Sequence, residues 1–237
     1  MQVVTGPIQA AFPAWSAAST LVGLHGVAAY KGVMEAVRAT TPTDRLDAGI
    51  RAYTSFDHTL DNARALPLEW AIKDIDRYLT GYDVARQLLL QLTNADVIPG
   101  AREHVGSVTM HAGRGSFENA VRAARTDSSR YGGHLAAGWL AAAAEDAANG
   151  AQLLRTNSAL GTQLLAGIGQ VRESIRTRQV LDPKLVDAVG ALFAQADAQL
   201  SAQVVEAANT VTTRDTATER AVMRSTDALL GSWLAGA

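Results

Sequence analysis

The chain begins with a long run that carries no formal charge: residues 1–30 contain no Asp, Glu, Lys or Arg, and Lys31 is the first charged residue. In the chain as a whole, 19% of the residues are charged. Pro13 suits the first turn of a helix, where a missing backbone N–H costs nothing, and it predicts a first helix over residues 13–39. Because such a helix is apolar or small on every side, it must be buried in its own fold, in a partner or in a membrane.

Apolar residues recur at the helical period along most of the remaining chain. Asp182 and Pro183 mark the clearest helix start, because aspartate is a good N-cap and proline suits the first helical position. Besides the first helix, the pattern predicts helices over residues 45–64, 67–93, 116–127, 135–154, 160–175, 183–204 and 213–234.

Four glycines interrupt the pattern between the third and fourth predicted helices. They are Gly100, Gly106, Gly113 and Gly115. Because glycine loses the most backbone freedom on ordering, the sequence predicts an irregular region near residues 95–115, with a short extended piece inside it. A single domain over residues 1–237 is the default expectation, and this region is the candidate boundary for a division into two helical halves.

Composition favours an all-α fold. Alanine makes up about a fifth of the chain and aromatic residues only 5%, and alanine has the highest helix propensity of all residues. Residues 135–154 are the richest in alanine, so a neighbouring helix is expected to pack against them at short distance. The sequence therefore predicts an all-α, Ala-rich bundle of about six to eight helices.

Several chemistries lack their sequence signatures. The chain has no cysteine, which excludes disulfides, thiolate zinc sites and thiol nucleophiles. The sequence also lacks the phosphate-binding loop, the dinucleotide-binding glycine pattern, the HExxH zinc motif and the nucleophile elbow. His104 and His111 fall in the region predicted to be irregular, where a metal or general-base site competes with the simpler interpretation of solvated histidines. His25 is expected to be a core or interface residue, and no catalytic residue, metal ligand or cofactor is predicted.

The strongest binding hypothesis concerns an anion. Arg114 and Ser116 stand at the start of a predicted helix, where backbone N–H groups and an arginine can hold a phosphate. Arg122 and Arg125 follow three residues apart and share a face of that helix. In the alternative interpretation the glycines only form a turn, and acidic residues such as Glu118 neutralise part of the positive charge.

The two ends of the chain are the predicted contact surfaces. Residues 14–30 are at the lower length limit for a membrane span and are diluted by polar residues, so no span is expected. No standard signal peptide is expected either, because the basic segment is missing, and the compartment stays open. The apolar tail, residues 229–237, is expected to dock against another surface. The residues predicted for the interface are Trp15, Leu21, Leu24, Trp233 and Leu234.

Uncharged ends and close alanine packing favour a non-enzymatic structural subunit that self-associates as a homo-oligomer or a larger assembly. A coat or scaffold component of a phage or virus-like particle fits this description, and the rarity of Lys relative to Arg is typical of a bacterial or phage genome rich in G and C. A net charge of -2 gives only weak support to nucleic acid as a partner. The alternatives are a helical-bundle sensor for a small anion and, ranked last, an enzyme with a pocket between helices.

Overall fold

The structure is a computed structural model that describes residues 6–64, 66, 68–126, 130–154, 158–208 and 215–236. Eight α-helices account for most of these described residues, and no strand occurs among them, which confirms the predicted all-α bundle. In chain order the helices are α1 (Gly6–Arg38), α2 (Pro42–Arg64), α3 (Leu68–Asn94), α4 (Ala101–Thr126), α5 (Arg130–Leu153), α6 (Ser158–Arg176), α7 (Pro183–Ala208) and α8 (Thr216–Gly236).

Capping residues explain where helices begin. Thr41 accepts a hydrogen bond from the backbone N–H of Asp44 at 3.2 Å, and its hydroxyl donates to the Asp44 carboxylate at 2.7 Å. This contact provides a hydrogen-bond acceptor for a backbone N–H in the first turn of α2. Asp182 accepts from the backbone N–H of Lys184 at 2.9 Å, which confirms the helix start predicted there for α7.

The first helix is longer than predicted. α1 begins at Gly6 instead of residue 13, because Pro7 takes the place in the first turn where proline is tolerated. The side chains of residues 6–16 lie outside the described part of the structure. The interface role predicted for Trp15 falls among them and stays a prediction.

The irregular region predicted near residues 95–115 is mostly helical, so this prediction is wrong. A short turn ends at Gly100, whose φ of 72° suits glycine. From Ala101 onward the chain belongs to α4. Neither the extended piece nor the helix start at Ser116 exists, since Ser116 lies in the middle of a helix.

Packing against neighbouring helices explains why this glycine-rich segment is helical. Gly106 faces Leu200 of α7, and a Cβ on Gly106 would lie 2.8 Å from that side chain. Gly113 faces α5, where the backbone oxygen of Ala143 and the backbone nitrogen of Ala147 would both lie 3.2 Å from a Cβ. The favourable van der Waals packing that this close approach permits outweighs the propensity cost of about 1 kcal/mol per glycine. The close approach also confirms that the alanine-rich α5 has a neighbour at short distance.

The chain divides into two compact units. Unit 1 comprises Met1–Leu89 and Met223–Ala237, and unit 2 comprises Leu90–Val222, so that α3 and α8 contribute residues to both. These boundaries differ from the candidate boundary near residues 95–115. The single-domain expectation stays a prediction.

Unit 2 is arranged around α4, which packs against α5 and α7, while α6 packs against the same two helices. Phe117 of α4 and Phe193 of α7 meet with their ring centroids 5.7 Å apart. Leu140 of α5 and Leu164 and Ile168 of α6 are buried in the same hydrophobic core. The helices α4, α5, α6 and α7 thus share one hydrophobic core.

Unit 1 is arranged around the pairing of α1 with α2. A Cβ on Gly32 of α1 would lie 2.8 Å from the backbone nitrogen of Ala52 in α2, so the two backbones approach closely. Ala29 and Ala36 of α1 are fully buried on this side. Small side chains therefore allow one side of α1 to lie flat on α2.

A buried arginine joins α8 to α2 within unit 1. The Arg45 guanidinium donates to the Met223 carbonyl oxygen at 2.9 Å and to the Thr226 hydroxyl at 2.7 Å. It also forms an ion pair with Asp227 at 2.7 Å and donates to the Ala39 carbonyl oxygen at 3.1 Å. Because these groups come from both the middle of α8 and the chain just before α2, the planar guanidinium fixes the middle of α8 against the start of α2.

Candidate functional site

The side of α1 that points away from α2 is apolar and exposed. Leu21, Leu24, Val27 and Met34 are 39%, 63%, 72% and 38% exposed, respectively. Their spacing places them on one side of the helix, since residues three, four and seven apart share a face. We call these four residues the α1 face. Scattered single apolar residues are normal at a surface, whereas a contiguous apolar stripe marks a contact surface.

The charge on this side of α1 is confined to one end. Lys31 is the one charged residue among the exposed positions from residue 17 to Met34. Its ammonium group lies 3.9 Å from the Glu35 carboxylate one turn later. The remaining length of the α1 face offers hydrocarbon without a fixed charge.

The end of α8 covers another side of α1. Trp233 stacks on Tyr30 with ring centroids 5.5 Å apart and planes inclined by 18°, and Leu230, one turn earlier on α8, is buried as well. The apolar tail therefore docks within unit 1, and the interface role predicted for Trp233 stays a prediction. Leu234, in contrast, is exposed like Leu21 and Leu24.

The residues of the predicted anion site lie on two opposite sides of α4. Arg114 forms an ion pair with Glu118 at 2.9 Å, and Arg122 and Arg125 are exposed on the same side of the helix. Ser116 is fully buried on the other side. The helix N-terminus on which this hypothesis depended is absent here, because the residues before Ser116 are helical. The three arginines remain a predicted basic surface without backbone donors.

Two histidines meet in unit 1 that sequence reasoning did not pair. His25 of α1 and His58 of α2 lie edge to face with ring centroids 5.2 Å apart. No signal in the sequence connects them, since they belong to different helices and follow no ligand spacing. His104 and His111 are exposed on α4, two turns apart. In the described part of the chain, no group of three or more His, Asp or Glu side chains is placed to hold a metal ion.

Shifted pKa values occur at exposed helix ends. A hydrogen bond from Arg176, together with its positive charge, lowers the pKa of Glu173 near the end of α6. Hydrogen bonds from the Thr218 hydroxyl and the Ala217 N–H lower the pKa of Asp215 at the start of α8. Both carboxyls are exposed and both shifts follow from helix-end contacts, so neither points to acid–base catalysis.

Comparison with known proteins identifies no relative of this chain. No protein-family model matches it, and searches of curated proteins and of solved structures find no similar protein. Within the described ranges, no helix is both long enough and apolar enough to cross a membrane.

Proposed function

We propose that the chain is a non-enzymatic helical assembly subunit and that two copies associate through the α1 face. The observation that carries this proposal is the exposed stripe of Leu21, Leu24, Val27 and Met34. Exposing such a surface to water is unfavourable, because burying a leucine or valine side chain is favourable by about 1.5–3 kcal/mol. The opposite side of α1 already lies on α2, so the stripe is left for another molecule.

A second copy of the chain fits this surface because the stripe is complementary to itself. When two α1 helices pack antiparallel about Leu24, Ala17 of one copy faces Lys31 of the other, since both lie seven residues from Leu24. The two lysines are then at opposite ends of the contact and do not repel each other. An antiparallel pair of this kind is a two-fold symmetric contact that closes as a dimer.

The four residues of the α1 face are too few to form a stable interface alone, and a larger assembly needs a second contact surface. A stable interface buries about 1,200–2,000 Å² in total, more than four partly exposed side chains per copy supply. Residues 6–20 of α1 carry no charge either, and we expect the contact to extend along them. Because a two-fold contact closes, a filament or shell needs a second surface, for which exposed Leu234 is the candidate.

The proposal is tested by the mass in solution, measured by light scattering after size exclusion together with electron microscopy of the same fraction. We expect the parent chain to exceed 24.9 kDa, and the double variant Leu24→Glu/Val27→Glu to return to that mass with its helical circular dichroism intact. Leu165→Glu is the matched control, because Leu165 is an exposed leucine on α6 of unit 2. A parent chain at the monomer mass, or a double variant that keeps the parent mass, would overturn the proposal.

A further inference from the structure

The helices of unit 2 alternate in direction, so that the ends of some lie beside the starts of others. Gly106, early on α4, faces Leu200, late on α7, whereas Phe117 meets Phe193. α4 and α7 therefore run antiparallel. α6 and α7 pack against each other and are joined by the short loop of residues 177–182, which makes them antiparallel as well. The end of α4, the end of α6 and the start of α7 thus lie at the same end of unit 2.

This end of unit 2 is rich in positive charge. Six exposed basic residues lie there, and we call them the basic end: Arg122, Arg125, Arg172, Arg176, Arg178 and Lys184. The acidic residues described among them are Glu173, Asp182 and Asp187. Positive charge is therefore in excess here, although the whole chain has a net charge of -2.

Helix stability does not account for all of these cations. A cation suits the last turn of a helix, where Arg125 and Arg176 lie. Lys184 instead lies in the first turn of α7, where the helix dipole disfavours a positive charge. Arg178 follows the end of α6 with a φ of 56°, at a position where glycine is usual. Both residues reduce local stability while they add positive charge to the surface.

Most of the arginines of the basic end are available to a partner. The Glu173 carboxylate pairs with Arg176 at 2.6 Å, and Asp182 accepts a hydrogen bond from the backbone N–H of Lys184. The arginines that form no ion pair with any residue that the structure describes are Arg122, Arg125, Arg172 and Arg178. Because a guanidinium binds phosphate oxygens through two parallel hydrogen bonds, a surface that bears phosphate groups fits this chemistry.

An apolar side chain lies among these charges. Val180, in the loop between α6 and α7, is 95% exposed, while its neighbour Leu181 packs against the core of unit 2. The phosphate backbone of a nucleic acid would match the arginines alone. An anionic bilayer matches both, because its headgroups attract basic residues and the region beneath them takes up apolar side chains. We infer that the basic end docks on an anionic lipid bilayer, with Val180 entering the headgroup region.

The test measures binding of the full chain to lipid vesicles by sedimentation. Vesicles of phosphatidylcholine with about one third phosphatidylserine supply the anionic surface, and phosphatidylcholine alone is the uncharged reference. We expect binding to the anionic vesicles that weakens as salt is raised. Arg122→Gln/Arg178→Gln should weaken this binding at least about tenfold, because each cation near such a surface contributes about fivefold. The matched control Arg220→Gln/Arg224→Gln removes two exposed arginines of α8 and should bind like the parent chain.

A second pair of variants tests the apolar contact. Val180→Asp should weaken binding to the anionic vesicles by about fivefold or more, because it places a negative charge against the headgroups. Val205→Asp is the matched control, since Val205 is 66% exposed near the far end of α7, and it should bind like the parent chain. Circular dichroism of all four variants checks that they are folded.

Three results would overturn this inference. They are equal binding to charged and uncharged vesicles, equal effects of the basic-end variants and their controls, and binding to duplex DNA but not to anionic vesicles at the same phosphate concentration. The last result would assign the basic end to nucleic acid. None of them bears on the proposed self-association, because the basic end belongs to unit 2 and the α1 face to unit 1.

Discussion

The helices α1 and α4 are both long and rich in small residues, yet they differ in how neighbouring helices pack against them. α4 lies against α5 on one side and α7 on another, and its glycines Gly106 and Gly113 lie within those contacts. α1 lies against α2 on one side, and its opposite side exposes Leu24 and Val27. A similar content of small residues thus gives a helix whose exposed side is polar in unit 2, where His104 and Arg122 face solvent, and a helix whose exposed side is apolar in unit 1. Composition predicts that a helix must be buried against other residues. Whether the same chain provides those residues depends on the helices that pack against it.

The largest expected difference between the two helices is in the free energy of unfolding that is lost when a large side chain is shortened to alanine. Phe117→Ala on α4 removes a buried ring that meets Phe193 at 5.7 Å, and we expect a loss of about 3–5 kcal/mol in the free energy of unfolding. Leu24→Ala on α1 shortens a side chain that is mostly exposed, and we expect a change within about 0.5 kcal/mol. Urea unfolding of dilute monomeric protein measures both. Similar losses in the two variants would contradict the contrast.

The next effect concerns the arginine that holds α8 in unit 1. Arg45→Met keeps the bulk of the side chain but removes the donors to Met223, Thr226 and Ala39 and the pair with Asp227. Because hydrogen bonds to buried charged groups are the stronger ones, we expect a loss of about 3 kcal/mol in the free energy of unfolding.

The control for the buried arginine lies on the same helix. Arg51→Met breaks an exposed pair with Glu35 at 3.0 Å, which is expected to cost less than about 1 kcal/mol. Equal unfolding midpoints for the two methionine variants in urea would show that the buried guanidinium does not hold α8.

Glycine substitution gives a smaller effect with opposite signs on the two helices. Gly113→Ala on α4 brings a Cβ within 3.2 Å of the α5 backbone, and we expect a loss of about 1–3 kcal/mol from overpacking. Gly23→Ala on α1 meets no atom within 4 Å and should stabilise by up to about 1 kcal/mol through helix propensity. Thermal unfolding of both variants checks the signs. A stabilising Gly113→Ala would mean that α4 and α5 can separate slightly without cost.

Features that depend on neighbouring residues in sequence were predictable. Asp182 before Pro183 marks the start of α7, because capping is a local interaction of one side chain with the next turn. The docking of the apolar tail was also predictable, since Leu230 and Trp233 are too apolar to be left in water.

Features that depend on another helix were not predictable from local pattern. The glycines of α4 predict a break, because their partners on α5 and α7 are distant in sequence. The burial of Trp233 depends on Tyr30 of α1, and the meeting of His25 with His58 depends on how α1 lies on α2. The residues predicted for the interface differ in exposure for the same reason. The sequence pattern identifies apolar side chains, but the contacts between helices determine that Trp233 is buried and Leu24 is exposed.

The smallest expected effect is a pH dependence at the start of α8, the helix that contributes to both units. Hydrogen bonds from Thr218 and Ala217 lower the pKa of Asp215, so folding favours its ionised form. The resulting stability is present above the ordinary aspartate pKa and is lost as pH falls through the lowered value in the folded chain. We therefore expect the difference in Tm between the parent chain and Asp215→Ala to be largest at neutral pH and to shrink in acid. Asp215→Asn is the control, because it keeps a capping oxygen but does not titrate. The Tm difference between Asp215→Asn and Asp215→Ala should stay constant with pH. If the Tm difference between the parent chain and Asp215→Ala is constant as well, the charge of Asp215 contributes nothing to the cap.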